Sequence, residues 1–268
     1  MSNNLKRRTV PSIRAQKAKT PLVCLTSYTT PMAQALDPFV DLLLVGDSLG
    51  MVVYGLDSTL GVTLEMMSAH GAAVVRGSKN ALVVVDMPFG SYHGSQDDAV
   101  ANACKLMAES GCQALKLEGG SEITPLVKRL ISAGIPVMAH IGLMPQHVHA
   151  MGGFKIQGKE NSSAERILSD ALALEKAGAF AVVLEGIPQK LAAKISAELE
   201  IPTIGIGAAP ECDGQILVAE DMLGLLPLKP AKFVKNFATL YSQIELAAKE
   251  YAEAVRNRTF PHPEENCY

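Results

Sequence analysis

Short apolar runs alternate with amphipathic helical periods along most of this chain, and this alternation restricts the folds open to it. The strand-like runs are PLVCLTSY, DLLLVGDS, ALVVVDMP, ALKLEGG, IPVMAHIG, FAVVLEG, IPTIGIGA and DMLGLLP. Helical periods between them cover residues 64–77, 95–111, 123–134, 163–178 and 189–200. Because parallel strands need long crossover connections, a repeated strand–helix unit predicts a parallel sheet.

Eight strand candidates in 268 residues predict an α/β fold of the (β/α)8 TIM-barrel type. A doubly wound sheet is the main alternative, but it normally carries a GxGxxG loop after an early strand. That motif is absent, and the glycines of GIGAA at 205–209 come late. No linker interrupts the pattern, so we predict a single domain over residues 1–268. We also predict a short N-terminal helix in SIRAQKAK (12–19) and a long C-terminal helix over 232–258, which covers the barrel or packs on a neighbouring subunit.

Composition excludes several classes of function. Hydrophobic residues make up 48% of the chain and the net charge is −3, so a packed globular protein is expected and nucleic-acid binding is not. No apolar run reaches transmembrane length, which argues against a membrane protein. Five cysteines without a CxxC pair are typical of a reduced, cytoplasmic protein. The basic, acid-poor N-terminus also has the composition of a transit peptide, but the lack of an apolar cleavage-type region favours the helix.

Ionisable residues close the strand-like runs, and they are Asp47, Asp86, Lys116, Glu118, His140 and Glu185. A charge that follows an apolar run costs solvation free energy unless it is paired, ligated or used. In a barrel, catalytic groups come from the carboxyl ends of the strands, so we expect one convergent site. Because side chains alternate along a strand, Lys116 and Glu118 share the face that points into the barrel mouth. Leu115 and Leu117 then pack outward on helices.

Four carboxylates aimed at one volume exceed the positive charge that Lys116 and His140 can supply. A divalent cation balances them, and carboxylate and water oxygens suit Mg2+. We therefore expect Mg2+ to be held mainly by Asp47 and Asp86, with Glu118 nearby. The competing interpretation is structural, because charges at strand ends also form ion pairs, and Lys116–Glu118 is a candidate pair.

A metal held by carboxylates beside a lysine and a histidine suits a 2-oxo acid substrate. The carboxylate and keto oxygens of such an acid can chelate Mg2+, which then acts as a Lewis acid and stabilises an enolate. Glu185 is the candidate general base for the α-proton. Lys116 offsets the negative charge of the bound acid, and Ser48 can donate to its carboxylate. The residue types do not reveal the electrophile.

Several motifs resemble the ketopantoate hydroxymethyltransferase family, notably VGDSLGM (45–51), KLEGG (116–120), HIGLMPQ (140–146) and DGQILV (213–218). The similarity runs from about residue 21 to the C-terminal tail. It implies transfer of a one-carbon unit from 5,10-methylenetetrahydrofolate to 3-methyl-2-oxobutanoate, which gives 2-dehydropantoate in pantothenate biosynthesis. It also implies Mg2+, a cytoplasmic enzyme and a homodecamer.

The resemblance carries roles to matching positions of this chain. It implies that Asp47 and Asp86 are metal ligands and that Glu118 belongs to the metal site. It implies that the 2-oxo acid is bound by Asp47, Ser48, Asp86 and Lys116, with His140 beside it and Glu185 as the proton acceptor. The chain departs from the common family pattern at Ser27, Thr29, Gly61 and Ala209.

Two rival functions remain. One is a Mg2+-dependent 2-oxo acid lyase or mutase of the phosphoenolpyruvate mutase/isocitrate lyase superfamily. Isocitrate lyase relatives carry a Lys-x-Cys-Gly-His type loop, and no cysteine here has that context. The other is a catalytically inactive barrel kept for binding or assembly. Loss of Asp47, Asp86 or Glu185 would indicate it, and all three are present.

Overall fold

Eight parallel strands close into a barrel in the order in which they occur in the chain. The computed structural model describes residues 7–227 and 231–268. The strands are β1 Leu22–Thr26, β2 Leu42–Val45, β3 Leu82–Asp86, β4 Ala114–Glu118, β5 Val137–Gly142, β6 Ala181–Glu185, β7 Thr203–Ile206 and β8 Gly214–Leu217. The barrel closes through pairing of β1 with β8. The prediction of a (β/α)8 barrel is confirmed.

Helices connect most of the strands. They are α1 Val10–Arg14, α2 Thr30–Leu36, α3 Leu49–Val52, α4 Leu64–Gly77, α5 Gln96–Ser110, α6 Thr124–Ser132, α7 Asn161–Ala177, α8 Gln189–Glu198, α9 Ala219–Met222 and α10 Leu240–Arg256. Hydroxyl side chains cap the start of α4 and α5, where Thr63 accepts from the Met66 N–H and Ser95 from the Asp98 N–H. Residues 207–213 join β7 to β8 without a helix.

The barrel interior is filled by alternate residues of the strands, as the two-residue period predicts. Its buried side chains include Cys24, Leu42, Leu44, Leu82, Val84, Ala114, Met138, Ala181, Val183, Ile204 and Ile216. On β4, Leu115 and Leu117 are also fully buried although they belong to the opposite face. Lys116 and Glu118 therefore continue the inward series begun by Ala114. This places two charged side chains at the carboxyl end of a closed apolar core.

The eighth strand is not the predicted run DMLGLLP at 221–227. It is the earlier segment Gly214–Leu217, and part of the predicted run lies in α9. The segment was missed because only four residues pair and the first is a glycine. A Cβ atom at Gly214 would lie 2.7 Å from the Leu22 Cβ and 2.9 Å from the Ile204 Cδ1. Close packing of three strands therefore requires glycine where composition alone indicates a loop.

The two terminal helices differ from their predicted bounds. Helix α1 begins at Val10, after the capping residue Thr9, and ends at Arg14 rather than at residue 19. Helix α10 begins at Leu240, eight residues after the predicted start. The preceding segment instead bonds to the turn after α9, since Phe237 N–H donates to the Met222 carbonyl and Leu240 N–H to the Leu223 carbonyl.

Two compact units divide the chain, one ending at Val218 and the other spanning Ala219–Tyr268. The first contains the barrel, and the second contains α9 and α10. The single domain over 1–268 stays a prediction. Among the described residues, no helix combines the length and apolar character needed to cross a membrane.

Candidate active site

The predicted site residues converge at the carboxyl edge of the barrel. Asp86 ends β3, Lys116 and Glu118 lie at the end of β4, and Glu185 ends β6. Strand register places Asp86 beside Lys116 and Glu118 beside His140. Asp47 follows β2 by two residues. Five of the six strand-end residues are buried, and the Glu185 side chain keeps 15% of its surface exposed. The closed barrel therefore brings these six residues, which are far apart in the sequence, to one edge.

Lys116 lies at the centre of the charged cluster. Its Nζ atom is 3.1 Å from Asp86 Oδ1, 3.9 Å from Glu118 Oε1 and 3.2 Å from His140 Nδ1. Burial lowers the pKa of Lys116, but the three surrounding carboxylates outweigh burial and raise it above its ordinary value. Lys116 is therefore a fixed positive charge at neutral pH. The predicted Lys116–Glu118 pair is present, but the contact with Asp86 is shorter.

His140 connects Lys116 and Glu118 to Glu185. Burial and Lys116 lower the pKa of His140, but Glu118 and Glu185 outweigh them and raise it to about 9. When the ring is protonated, Nδ1 donates toward Glu118 Oε1, 3.5 Å away. When it is neutral, Nδ1 can accept from Lys116. In both states Nε2 carries a proton that faces Glu185 Oε2 at 3.2 Å, so the ring orients this carboxylate.

Asp47 and Asp86 form a buried acidic pair. The Asp47 N–H donates to Asp86 Oδ2 over 3.0 Å. Burial raises the pKa of Asp47 well above its ordinary value, and the charges of Asp86 and Glu118 raise it further. Burial also raises the pKa of Asp86 by more than the neighbouring Lys116 lowers it. A cation seated between these carboxylates would reverse that effect, because it favours their ionised form.

Ser48 lies at the start of α3, where its Oγ is 2.7 Å from the Tyr28 hydroxyl. The backbone before it is tight, since a Cβ atom on Gly46 would lie 2.8 Å from Ser48 Oγ and 3.6 Å from Asp86 Oδ2. Ser48 is therefore close to the acidic pair and is partly exposed. This position suits a hydroxyl that donates to an anionic ligand.

Two buried residues of the site, Gln146 and Tyr92, were missed by sequence reasoning. Gln146 lies in a 3-10 turn, Pro145–His147, after β5. Its side chain donates to Asp47 Oδ2 over 2.8 Å, and its main-chain N–H donates to Glu118 Oε2 over 2.9 Å. The Tyr92 hydroxyl is 2.6 Å from Gln146 Oε1. The only signal was the polar end of HIGLMPQ, because neither side chain carries a charge at neutral pH.

The donor set fits a divalent cation. Asp86 Oδ1 and Glu118 Oε1 are buried, and their positive neighbours are the Lys116 ammonium and the His140 ring. If all four carboxylates are ionised, Lys116 and a protonated His140 leave two negative charges for a cation to balance. Within 7–227 and 231–268, no three His, Cys, Asp or Glu side chains are grouped closely enough to hold a metal by themselves. Mg2+ is usually bound by one or two carboxylates plus water and substrate oxygens, which an acidic pair can provide.

Comparison with solved structures finds the same barrel fold in other proteins. The structure of 2,3-dimethylmalate lyase, a member of the phosphoenolpyruvate mutase/isocitrate lyase superfamily, covers 96% of this chain and 88% of its own, with a TM-score of 0.60 and 19% identity. The match to phosphonopyruvate hydrolase in complex with oxalate and Mg2+ covers 96% of this chain and 93% of the hydrolase, with a TM-score of 0.60 and 12% identity. At these identities the likeness shows a shared fold.

Sequence comparison is more specific. The family model of ketopantoate hydroxymethyltransferase matches residues 7–263. A 3-methyl-2-oxobutanoate hydroxymethyltransferase from Parvibaculum lavamentivorans is 60% identical over 98% of this chain and 96% of its own. A Pseudomonas aeruginosa protein, 3-methyl-2-oxobutanoate hydroxymethyltransferase 1, is 58% identical over 95% of this chain and 93% of the relative. The chain belongs to the ketopantoate hydroxymethyltransferase family.

Proposed function

We propose that this protein transfers a hydroxymethyl group from 5,10-methylenetetrahydrofolate to 3-methyl-2-oxobutanoate and so forms 2-dehydropantoate for pantothenate biosynthesis. The observation that carries the proposal is the buried Asp47–Asp86 pair beside Lys116, with Glu185 held by His140 at the same edge. Family membership favours this transferase over a lyase or mutase with the same fold. The presence of every strand-end charge argues against an inactive barrel.

Asp47 and Asp86 are the side chains proposed to hold Mg2+, and Glu118 is proposed to lie in its surroundings. When bound there with a 2-oxo acid, Mg2+ supplies Lewis-acid polarisation of the 2-oxo group. Lys116 is proposed to offset part of the negative charge of the acid, and its ammonium lies at the acidic cluster beside Asp86. Ser48 is proposed to donate a hydrogen bond to the substrate carboxylate.

Glu185 is proposed to remove the C3 proton of 3-methyl-2-oxobutanoate. Its partly exposed side chain is the most accessible of the four strand-end carboxylates, so it can exchange that proton with solvent. Water adds to the methylene carbon of the folate and both of its bonds to nitrogen break, so tetrahydrofolate leaves and the carbon becomes the carbonyl carbon of formaldehyde. The electron pair at C3 then forms the bond to this carbon as its C=O π bond opens, and the oxygen takes up a proton to become the hydroxyl group. His140 orients Glu185 through Nε2 during these steps.

A second, larger substrate needs space beside the acidic cluster. A cavity of about 570 Å3 lies at the carboxyl edge, between the loops after β4 and β5 and helix α7. Gly142, which pairs with Glu185 across β5 and β6, is in its wall. This volume lies within the usual range of small-molecule sites, about 300–1,000 Å3. We propose that the folate co-substrate binds in this cavity.

Deuterium exchange at C3 of 3-methyl-2-oxobutanoate tests the proposed reaction. The exchange is followed by NMR in D2O with Mg2+, first without and then with 5,10-methylenetetrahydrofolate. We expect metal-dependent exchange that is replaced by a hydroxymethylated product when the folate is added. Folded protein that gives neither exchange nor product contradicts the transferase, whereas exchange followed by carbon–carbon cleavage supports a lyase.

A cytoplasmic homodecamer is the proposed state of the enzyme. All five cysteines are free thiols, which agrees with a reducing compartment. In α10, apolar residues at 244, 248, 251 and 255 recur at three- and four-residue spacing, so one face of this helix needs a partner. Light scattering on the purified protein is expected to give ten times the chain mass of 28.4 kDa. A mass equal to one or two chains contradicts the decamer.

A further inference from the structure

Gln146 is a buried amide that contacts two carboxylates of the site at once. Its Nε2 atom donates to Asp47 Oδ2 over 2.8 Å and to the Met87 carbonyl over 2.9 Å. Its main-chain N–H donates to Glu118 Oε2 over 2.9 Å. One residue after β5 therefore connects the loops after β2 and β3 to the end of β4.

The orientation of the amide follows from its neighbours. Asp47 Oδ2 and the Met87 carbonyl are acceptors, so the nitrogen of the amide must face them. Its oxygen then faces the Tyr92 hydroxyl, 2.6 Å away. A phenol has one proton, which Tyr92 gives to Gln146, and its oxygen accepts the Glu118 N–H over 3.2 Å. Every polar group of the Gln146 side chain is thus satisfied, which fixes one rotamer.

This arrangement sets the position of Asp47. The Gln146 amide donates to Oδ2 of Asp47, and the Asp47 N–H donates to Oδ2 of Asp86. One oxygen of each carboxylate is therefore fixed in place. Glu118 is held in the same way through Oε2, which leaves Oε1 toward Lys116 and His140. Moving any of these carboxylates requires breaking a buried, charge-assisted hydrogen bond.

We propose that Gln146 is a positioning residue that presents the Asp47 carboxylate to the divalent cation and keeps Glu118 beside it. Tyr92 supports it by holding the amide oxygen. Partners of this kind orient metal-binding side chains without touching the metal. The inference rests on the Mg2+ site of the proposed function.

A purely structural amide provides the matched comparison. Gln113 precedes β4 at the opposite end of the barrel, where Oε1 accepts the Val83 N–H over 3.0 Å and Nε2 donates to the Gly111 carbonyl over 2.9 Å. The Arg7 guanidinium also donates to Oε1 over 3.4 Å, and none of these three partners is a carboxylate of the site. Gln113→Met therefore removes a comparable set of hydrogen bonds from the fold and none from the site.

Isothermal titration of the full chain with Mg2+, in the presence of 3-methyl-2-oxobutanoate, tests the proposal. We expect Gln146→Met to weaken Mg2+ binding about 10- to 100-fold relative to the unsubstituted protein. We expect Gln113→Met to bind Mg2+ as the unsubstituted protein does, although its thermal midpoint falls. Tyr92→Phe keeps both donors of the amide, so a smaller loss of about two- to tenfold is expected.

The outcomes distinguish a positioning role of Gln146 at the metal site from a purely structural role. Unchanged Mg2+ affinity in folded Gln146→Met overturns the positioning role. An equal loss of Mg2+ affinity in Gln113→Met also overturns it, because such a loss indicates a general effect of stability. If Gln146→Met does not fold, Tyr92→Phe decides, and unchanged affinity there overturns the role. Unsubstituted protein that binds no Mg2+ overturns the metal site itself, together with this inference.

Discussion

The Nε2 atom of His140 lies 3.2 Å from Oε2 of Glu185. This contact joins the end of β5 to the end of β6, where the main chain pairs His140 with Val183 rather than with Glu185. The two side chains therefore meet diagonally between adjacent strands at the carboxyl edge of the barrel. His140 holds the proposed base at the accessible side of a cluster that is otherwise buried, so it orients a group that must still exchange protons with solvent.

Substitution of the proposed base is expected to separate binding from chemistry. Glu185→Gln keeps the shape of the side chain but cannot accept the C3 proton, so we expect 2-oxo acid binding to persist and exchange to fall about 10²- to 10⁴-fold. NMR exchange rates and calorimetric affinities measure the two effects. Glu198→Gln, on the exposed face of α8, is the control and keeps normal exchange. Normal exchange in Glu185→Gln assigns the base to another group.

Loss of charge at Asp86 is expected to weaken Mg2+ and 2-oxo acid binding together. Asp86→Asn removes a proposed ligand and also leaves Lys116 without its shortest ion pair. Calorimetric titration with each ligand, alone and with the other present, measures both affinities. Unchanged Mg2+ affinity removes Asp86 from the metal site, and the 2-oxo acid affinity then reports the effect on Lys116 alone.

A side chain at Gly142 is expected to disrupt the β5–β6 junction. Gly142 has φ +93°, and a Cβ atom there would lie 2.3 Å from the Glu185 carbonyl oxygen. Gly134 also has a positive φ, +85°, but a Cβ atom there meets nothing within 4 Å. We expect Gly134→Ala to cost about 1–2 kcal/mol of stability from backbone conformation alone.

Gly142→Ala adds a steric clash to the same conformational cost. Its free energy of unfolding is expected to fall by about 3–5 kcal/mol. Denaturant unfolding of the two variants side by side isolates the clash. Equal losses of unfolding free energy in Gly142→Ala and Gly134→Ala would show that β5 and β6 move apart at this point without an energetic cost.

Asp37 provides a pH-dependent prediction for the opposite end of the barrel. Its carboxylate accepts from the Ser78 hydroxyl and from the main-chain N–H groups of Lys79, Asn80 and Ala81. Burial raises the pKa of Asp37, but these hydrogen bonds outweigh burial and lower it below its ordinary value. The carboxylate therefore stabilises the fold above its unfolded pKa, about 3.9, and this contribution is lost as pH falls through the lower folded value.

We expect Asp37→Asn to reduce stability at pH 7 by about 2–3 kcal/mol, because charge-assisted hydrogen bonds are lost. The difference from the unsubstituted protein is expected to shrink as the pH falls below about 4. Thermal midpoints measured from pH 7 to pH 3 follow it. Asp57→Asn, at an exposed position, is the control and changes the midpoint little at any pH. A difference that is constant with pH contradicts the role of the charge.

The predicted parts of the fold were those with a strong local signal. Helix α4 has the predicted bounds, and Gly111 and Gly178 end α5 and α7 in the left-handed conformation, as expected for helices that lead into strands. Strand β8 was placed wrongly because its Gly214 is set by contacts with β1 and β7, which local composition does not contain. The late start of α10 has a similar cause, since main-chain bonds to the turn after α9 replace the helical ones.

The sequence by itself determined which charged residues stand at strand ends, and the closed parallel barrel then brings those ends to one edge. Alternation along β4 was enough to direct Lys116 and Glu118 inward, because the two-residue period of a strand is a local property. Only the tertiary structure decided which charges pair, that His140 meets Glu185, and that the neutral side chains of Gln146 and Tyr92 hold the acidic cluster. Distances between strand ends depend on register and barrel closure, so contacts among residues far apart in the chain become defined only after the sheet is complete.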